Sequence, residues 1–354
     1  MTDVPRAQTP MSLFDYELPS HLIAQTPLRN RSASRLLVLE RASGRLLHRH
    51  FTDLTALLDP GDVVVVNDTR VLPARLIGRR PTGGRVELLL LRKAEKGVWR
   101  ALIRPAKRLA PGDQIEIPAI DAKVAAVARA ILIDKLEAGE ALIRLDDALE
   151  RNLADFGRIP LPPYITQQLM DDDRYQTVFS SHPGSAAAPT AGLHLTTDML
   201  EQIQLRGVGV ALVTLHVGLD TFRPVSEAYA EQHRIHEEWC AVPVETAEAI
   251  ADAKRRGGRV IAVGTTVART LETYARAGDL MRREAFSGMT GIFISPGYSW
   301  QVVDAMVTNF HLPRSTLLLM MSSFAGREAI MNAYREAIAE EYRFFSFGDA
   351  MLIL

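Results

Sequence analysis

A single cysteine, Cys240, is all that the 354 residues contain, which excludes an internal disulfide and any structural zinc site built from a cysteine cluster. A reducing cytoplasm is the expected setting. No apolar stretch of about 18 residues runs without a charge. The opening segment carries Asp3, Asp15 and Glu17 around no apolar core of signal-peptide length, so neither export nor membrane insertion is expected. Internal repeats and low-complexity tracts are missing. So are the GxSxG, Walker and GxGxxG patterns, which removes the usual support for serine hydrolase, P-loop NTPase and dinucleotide oxidoreductase readings.

The composition that is present is ordinary, with 47% hydrophobic and 23% charged residues, and it excludes a disordered, collagen-like or long coiled-coil chain. At roughly 150 residues per domain the length favours two domains or one large one. The segment MTDVPRAQTP is polar and proline-containing, so ordered structure is expected to begin near Met11, and the choice between Met1 and Met11 as the start stays open. Net charge is −1, which speaks against a generic polyanion binder, yet its distribution is uneven. Between Arg70 and Arg108 there are twelve basic residues against Glu87 and Glu95, a local +10 that leaves −11 for the rest. Such asymmetry fits either a nucleic-acid face, where arginine and lysine release condensed counterions, or a solvated β surface.

Three zones follow along the chain. Up to about residue 70 come RLLVLE (35–40), RLLHRHF (45–51) and DVVVVND (62–68), the last a β-branched run bounded by turns that reads as a buried strand ending in Asn67, Asp68, Thr69 and Arg70. From 71 to 153, short apolar stretches alternate with Gly and Pro turns: ARLIG, GRVELLLLR, GVWRALIRP, QIEIPA, AKVAAVARAILI and EALIRL. That spacing predicts a small antiparallel β-barrel. After the loop IPLPPYI, helices and strands alternate: helix 197–207, strand 208–217, helix 243–258, strand 259–266, helix 267–278, strand GIFISPG (291–297), helix QVVDAMVTNF (301–310) and a helix over 327–343. The expected fold is therefore α/β. A mostly parallel sheet with helices on its faces spans 1–70 and 154–354, with the barrel of 71–153 inserted in it.

Parallel sheets bind ligands at the carboxyl ends of their strands, which singles out three places. They are the end of VVVVNDTR, the stretch His216, Gly218, Asp220 and Thr221, and the turn Gly264, Thr265, Thr266, where a helix start offers free N–H groups to a carboxylate or phosphate. The segment HPGSAAAPTAGLHLT (182–196) is rich in small residues and holds His194, a composition that suits either a functional loop or a flexible surface one. HRIHEE (233–238) lacks the HExxH spacing and a third ligand, so a solvated polar segment is the better reading than a metal site. His236 and Glu238 stay open as polar contacts or proton carriers. TNFHLPRST places Asn309, His311 and Arg314 around a proline turn before an apolar run, where a buried histidine is commonly just hydrogen-bonded.

Taken together, FDYELPSHLIAQTPLRNRSASRLLVL, VVVVNDTRVLPARL, LPPYI, YQTVF, GSAAAPTAGLHLT, LVTLHVGLDTFRPV, GTTVARTLE, SPGY, VVDAMVTNFHLPRSTLLLMMSSFAG and YRFFSFGDAM resemble, in this order and over nearly the whole chain, the S-adenosylmethionine:tRNA ribosyltransferase-isomerase family. The resemblance implies transfer and isomerisation of the ribosyl part of S-adenosylmethionine onto 7-aminomethyl-7-deazaguanine at the tRNA wobble position. Epoxyqueuosine would form, with adenine and methionine released. It also implies an α/β domain with an inserted barrel, a monomer, no metal, and no cofactor besides the consumed S-adenosylmethionine. The alternatives are a non-catalytic RNA-binding protein and an S-adenosylmethionine-dependent RNA methyltransferase.

By position within the matching motifs, His216 and His194 are expected to move protons and Asp68 to act as a base or ribose contact. Gly264, Thr265 and Thr266 are expected to receive the methionine carboxylate, and Thr190 with Gly192 to line the nucleoside. Asn67, Arg70, Asn309 and His311 would complete the pocket, with Tyr298 or Phe310 stacking on a base. The anticodon-loop phosphates are expected on Arg75, Arg79, Arg80, Arg85, Arg104, Lys107 and Arg108. The chain departs from the family pattern at Leu219 and Asp220 in HVGLDTF (HVGAGTF in the family), at Val267 (serine) and at Ser295 (tyrosine), and IHEE at 235–238 stands where MHSE is common.

Overall fold

The computed structural model describes residues 8–354 apart from 122, 124, 125, 219–224, 280 and 282. Met1 and the departures at Leu219 and Asp220 lie outside the described residues. Contacts begin slightly ahead of Met11: the Thr9 N–H meets the Glu231 carboxylate, and Met11 itself is fully buried.

The first strands are β1 (Arg35–Leu39), β2 (Leu46–His50) and β3 (Val63–Asn67). Strand β3 is buried along its whole length. Val63 and Val65 enter one core and Val64 and Val66 the other, because successive side chains on a strand face opposite sides. Each valine taken from water contributes about 1.5–3 kcal/mol, so this run anchors the sheet. The chain then leaves the sheet through β4 (Thr69–Val71).

Six strands follow: β5 (Arg75–Arg79), β6 (Arg85–Glu95), β7 (Val98–Arg104), β8 (Gln114–Pro118), β9 (Val127–Lys135) and β10 (Glu140–Leu145). They pair antiparallel in the order β5-β6-β7-β10-β9-β8, and Arg79 opposite Glu116 closes β8 onto β5. Closure depends on Gly78, where a Cβ would come within 2.5 Å of the Ile115 side chain and 2.8 Å of the Glu116 carbonyl. Alternate residues such as Leu76, Leu88 and Ile115 fill the interior, and that core runs from Ala74 to Phe156. Two short helices, α1 (Asp147–Arg151) and α2 (Leu153–Phe156), lead to β11 (Gly157–Arg158), which pairs with β5. Next, β12 (His182–Ser185) lies parallel to β4.

The remaining elements are α3 (Thr197–Leu205), β13 (Gly209–Leu215), β14 (Glu238–Val242), α4 (Val244–Arg255), β15 (Val260–Val263), α5 (Thr265–Arg276), β16 (Phe286–Thr290), β17 (Ala305–Asn309), α6 (Thr316–Ala325), α7 (Arg327–Ala339) and β18 (Ala350–Ile353). Among the described residues one sheet has the order β16-β14-β13-β3-β15-β17-β18-β1-β2. Its centre, β13-β3-β15-β17, is parallel, and antiparallel pairs lie toward the edges. Helices α4, α5, α6 and α7 contribute to the core on one face and α3 to that on the other, so the expected α/β architecture with an antiparallel barrel is met.

Two expected elements differ. QVVDAMVTNF contains no helix: residues 305–309 form the central strand β17, with Met306 facing one core and Ala305 and Val307 the other. A short apolar run buried on both faces has no periodicity that separates helix from strand. GIFISPG is not a strand, since pairing ends at Thr290. Ile292 and Ile294 alternate into the core without ladder partners, so the spacing marked burial rather than pairing.

Candidate active site

Four adjacent parallel strands end on one edge of the sheet. In spatial order β13, β3, β15 and β17 deliver His216, Asp68, Gly264 and Asn309, spread over three strand spacings or about 14 Å. At β15 the chain turns directly into α5 through Gly264 at φ 97°, a conformation that disfavours residues with a Cβ. The first N–H groups of α5 consequently face the sheet edge without helical partners.

Thr190, Gly264, Thr265, Thr266, Asn309 and His311 line one cleft together with Tyr164, Val217 and Ser346, enclosing about 660 Å³ of empty space including its open mouth. The wall is stitched by hydrogen bonds. Asn67 Nδ2 donates to Thr266 Oγ1 at 3.2 Å and to the Leu215 carbonyl at 3.1 Å, joining β3, β13 and α5. Thr190 Oγ1 donates to Asn309 Oδ1 at 2.8 Å. His311 Nε2 lies 2.7 Å from Thr308 Oγ1, and burial holds its pKa down to about 3, so its imidazole is neutral.

Beside this cleft stands a second polar group. Asp68, 3% exposed, accepts from Thr214 Oγ1 at 2.7 Å, from Ser181 Oγ at 3.2 Å and from His182 Nδ1 at 2.8 Å. His216 Nδ1 pairs with Thr69 Oγ1 at 2.8 Å, and its ring stacks on Trp239 at 5.2 Å. Burial lowers the His216 pKa, nearby His182 lowers it further, and Asp68 opposes both. Gly184 backs the ring so closely that a Cβ there would lie 2.6 Å from it.

Several expected contacts lie elsewhere. His194 sits one layer behind the cleft, stacked on Phe51. Its Nδ1 is 2.8 Å from Ser34 Oγ and its Nε2 accepts from Asn309 at 3.2 Å. Burial brings its pKa down to about 4, so its position suits holding Asn309 better than meeting a substrate. Gly192 makes room for the Phe179 ring, which a Cβ would approach to 2.9 Å. Arg70 extends to Ser180 and Asp173 rather than into the cleft. Tyr298 donates to Glu272 at 2.8 Å, and Glu272 also accepts from the Gln301, Val302 and Val303 N–H groups, which holds the segment before β17. Phe310 does reach the cleft wall, but it is fully buried in an aromatic cluster with Tyr334, Tyr342 and Phe344. Among the departures, Val267 is buried in the core and Ser295 begins a turn; neither lines the cleft.

Two residues, His182 and Arg158, and the pairing of Glu238 with Arg269 were not singled out in the sequence. His182 opens the small-residue segment, and its signal was a strand-end aspartate that needs donors. Glu238 and Arg269, both 7% exposed, form a buried ion pair, and Glu238 Oε1 also accepts from the Gly218 N–H at 2.7 Å. His233 meets Glu227 instead of Glu238, and among the described residues no group of three His, Cys, Asp or Glu is placed to hold a metal ion. Arg158 lines, with Arg75, Arg85 and Arg104, a groove between the barrel and residues 159–169, of about 2060 Å³ including its open side. Arg75 is paired there with Glu87 at 2.9 Å. Arg79, Arg80, Lys107 and Arg108 lie outside this groove, where Arg80 holds the Arg108 carbonyl at 2.8 Å. Among the described residues no helix is long and apolar enough to cross a membrane.

A cleft at the carboxyl edge of a parallel sheet, with a buried carboxylate and imidazoles beside it and a barrel that carries a basic groove, defines an α/β enzyme with an inserted barrel. The sequence model of the queuosine biosynthesis protein family matches residues 11–353, and the chain belongs to that family. It is 49% identical over 344 residues to the S-adenosylmethionine:tRNA ribosyltransferase-isomerase of Staphylococcus haemolyticus, covering 96% of this chain and 98% of the relative. The protein of the same name from Caldanaerobacter subterraneus subsp. tengcongensis is 50% identical over 346 residues, with 97% and 99% covered. The crystal structure of S-adenosylmethionine tRNA ribosyltransferase from Thermotoga maritima is similar at a TM-score of 0.56 and 38% identity, over 97% of this chain and all of that one.

Proposed function

We propose that this enzyme transfers the ribosyl moiety of S-adenosylmethionine to 7-aminomethyl-7-deazaguanine at the wobble position of tRNA and isomerises it, giving epoxyqueuosine with release of adenine and methionine. The observation that carries the reading is the row His216, Asp68, Gly264 and Asn309 along one sheet edge, in a chain that matches the family over residues 11–353. The 14 Å span suits an extended sulfonium nucleoside. Neither alternative function has an observation in its favour.

The reaction needs positioning and proton transfer. Sulfonium is an activated leaving group, the C–H bonds beside it are acidic, and adenine departs more readily when a ring nitrogen is protonated. In this reading the first turn of α5, with Thr265 and Thr266, receives the methionine carboxylate. Thr190 and Asn309 contact the nucleoside, and His194 holds Asn309. His216, kept neutral by burial, takes the proton that the aminomethyl nitrogen sheds before it attacks. The barrel of 71–153 supplies the RNA grip, with the loop phosphates along the groove of Arg75, Arg85, Arg104 and Arg158. S-adenosylmethionine is a consumed co-substrate, no further cofactor is invoked, and a cytoplasmic monomer completes the reading.

The test is incubation of the purified protein with S-adenosylmethionine and an anticodon stem-loop bearing 7-aminomethyl-7-deazaguanine, read by mass spectrometry. Adenine, methionine and the modified nucleoside together establish the reaction. S-adenosylhomocysteine would indicate a methyltransferase, and RNA binding without products a binding protein. His216→Ala should stop adenine release while RNA binding survives.

A further inference from the structure

Among the described residues three aspartates are fully buried, and two of them face a permanent cation. Asp62 holds Arg259 at 2.6 Å, and Asp349 holds Arg343 at 2.9 Å. That is the usual way to offset the cost of removing a carboxylate from water. Asp68 is different. Its side-chain partners are two hydroxyls, on Thr214 and Ser181, and the imidazole of His182, whose charge comes and goes with a proton.

The tie between Asp68 and His182 is unusually complete. Nδ1 of His182 lies 2.8 Å from Oδ2, while the backbone N–H groups of Ser181 and His182 donate to the Asp68 carbonyl at 2.8 and 3.2 Å. Main chain and side chain thus fix the ring together, yet the His182 side chain stays 63% exposed. With its Nδ1–H given to Asp68, the neutral ring carries its lone pair on Nε2, on the far side from the carboxylate. A buried carboxylate that orients an imidazole and stabilises its protonated form is the arrangement by which acid–base histidines are held in the correct tautomer. The pair also lies on the active edge: Asp68 follows Asn67, whose amide holds Thr266 in the cleft wall, and His216 is close enough to feel both groups.

We propose that His182 is a catalytic base of this enzyme, with Asp68 as the positioning residue that orients its ring and balances the charge it gains. The inference rests on the reaction proposed above. In that reaction the C–H bond on the carbon beside the sulfonium breaks, its electron pair stays on that carbon, and the proton passes to Nε2 of neutral His182. The exposed ring then returns the proton to water. Asp68 acts through His182 and does not itself touch the substrate.

The experiment measures adenine release by the full-length protein with saturating S-adenosylmethionine and the stem-loop, for wild type, His182→Ala and His182→Gln. Both variants should turn over at least about 100-fold more slowly, within the usual range for loss of an acid–base group. Stem-loop affinity should remain that of wild type in both variants because the side chain is exposed, and the unfolding midpoint should remain that of wild type in His182→Gln, where glutamine keeps a donor for Asp68. Added imidazole should restore turnover to His182→Ala, with rates that rise with the basicity of substituted imidazoles, and should leave His182→Gln slow. Variants within threefold of wild type, or a slow His182→Ala that no imidazole restores, overturn the assignment. A wild-type protein that releases no adenine overturns the functional reading and this inference with it, whereas an active wild type beside an equally active His182→Ala overturns only the inference.

Discussion

Asn309 donates through Nδ2 to Nε2 of His194 at 3.2 Å and accepts through Oδ1 from Thr190 at 2.8 Å, so one amide links a buried imidazole to the cleft surface. His194→Ala removes the back of this chain and leaves Asn309 and Ser34 without their partner. Stability should fall by about 2–4 kcal/mol in urea unfolding, from the cavity and the lost hydrogen bonds together. KM for S-adenosylmethionine should rise about tenfold while kcat changes less, and a kcat loss with unchanged KM would instead place His194 in proton transfer.

The same burial makes stability depend on pH. Burial holds His194 near a pKa of about 4 and His311 near about 3, whereas an unfolded histidine titrates near 6.5. As pH falls below about 6.5 the unfolded chain binds protons that the fold refuses, so stability declines down to about pH 4, by an amount of order 3 kcal/mol per imidazole. Above pH 7 both terms are fully present and flat. Urea midpoints at pH 7.5, 5.5 and 4.5 measure the slope, and His311→Asn should make it shallower.

Arg269 and Glu238 present a different kind of burial. Removing one partner strands a charge, so Glu238→Gln or Arg269→Met should each cost about 3–5 kcal/mol, while the double variant recovers much of the loss. A double-mutant cycle by chemical denaturation gives the coupling. Each single change also disturbs the Gly218 anchor two residues from His216, so turnover should fall alongside stability.

Gly184 tests the placement of His216. In Gly184→Ala the new methyl meets ring atoms at 2.6 Å, and the imidazole must shift. A displacement of that size costs about 100-fold in kcat, and stem-loop affinity should be unchanged.

For RNA, Arg85→Ala combined with Arg104→Ala should weaken stem-loop binding and reduce the slope of log affinity against log salt by about 1.5, at roughly 0.7–0.9 per phosphate contact. Charge reversal at Arg79 and Arg80 probes the barrel surface outside the groove. If the phosphates follow the groove, that reversal flattens the slope less than the first pair of substitutions.

Much of this molecule is local in origin. The VVVV run, the Gly264 turn and the closely spaced barrel strands are short-range signals, because burial on both faces, a positive φ and regular turns each leave a mark within a few residues. Motif order likewise marked the strand ends that carry Asp68, His216 and Gly264, and it picked out Asn309 while placing it after a helix. The sequence did not distinguish β17 from a helix, because an apolar run buried on both sides has no periodicity to read. It also could not order the histidines. His182, His194, His216 and His311 are the same chemical group, and their surroundings make one exposed and tied to a carboxylate, one half-buried on a tryptophan, one buried behind the cleft and one half-buried in the cleft wall. Residue type and order along the chain were settled by the sequence alone. Proton affinity and reach were decided only when strands 63–67, 209–215, 260–263 and 305–309 came together, since both depend on how much water and which charges surround each ring.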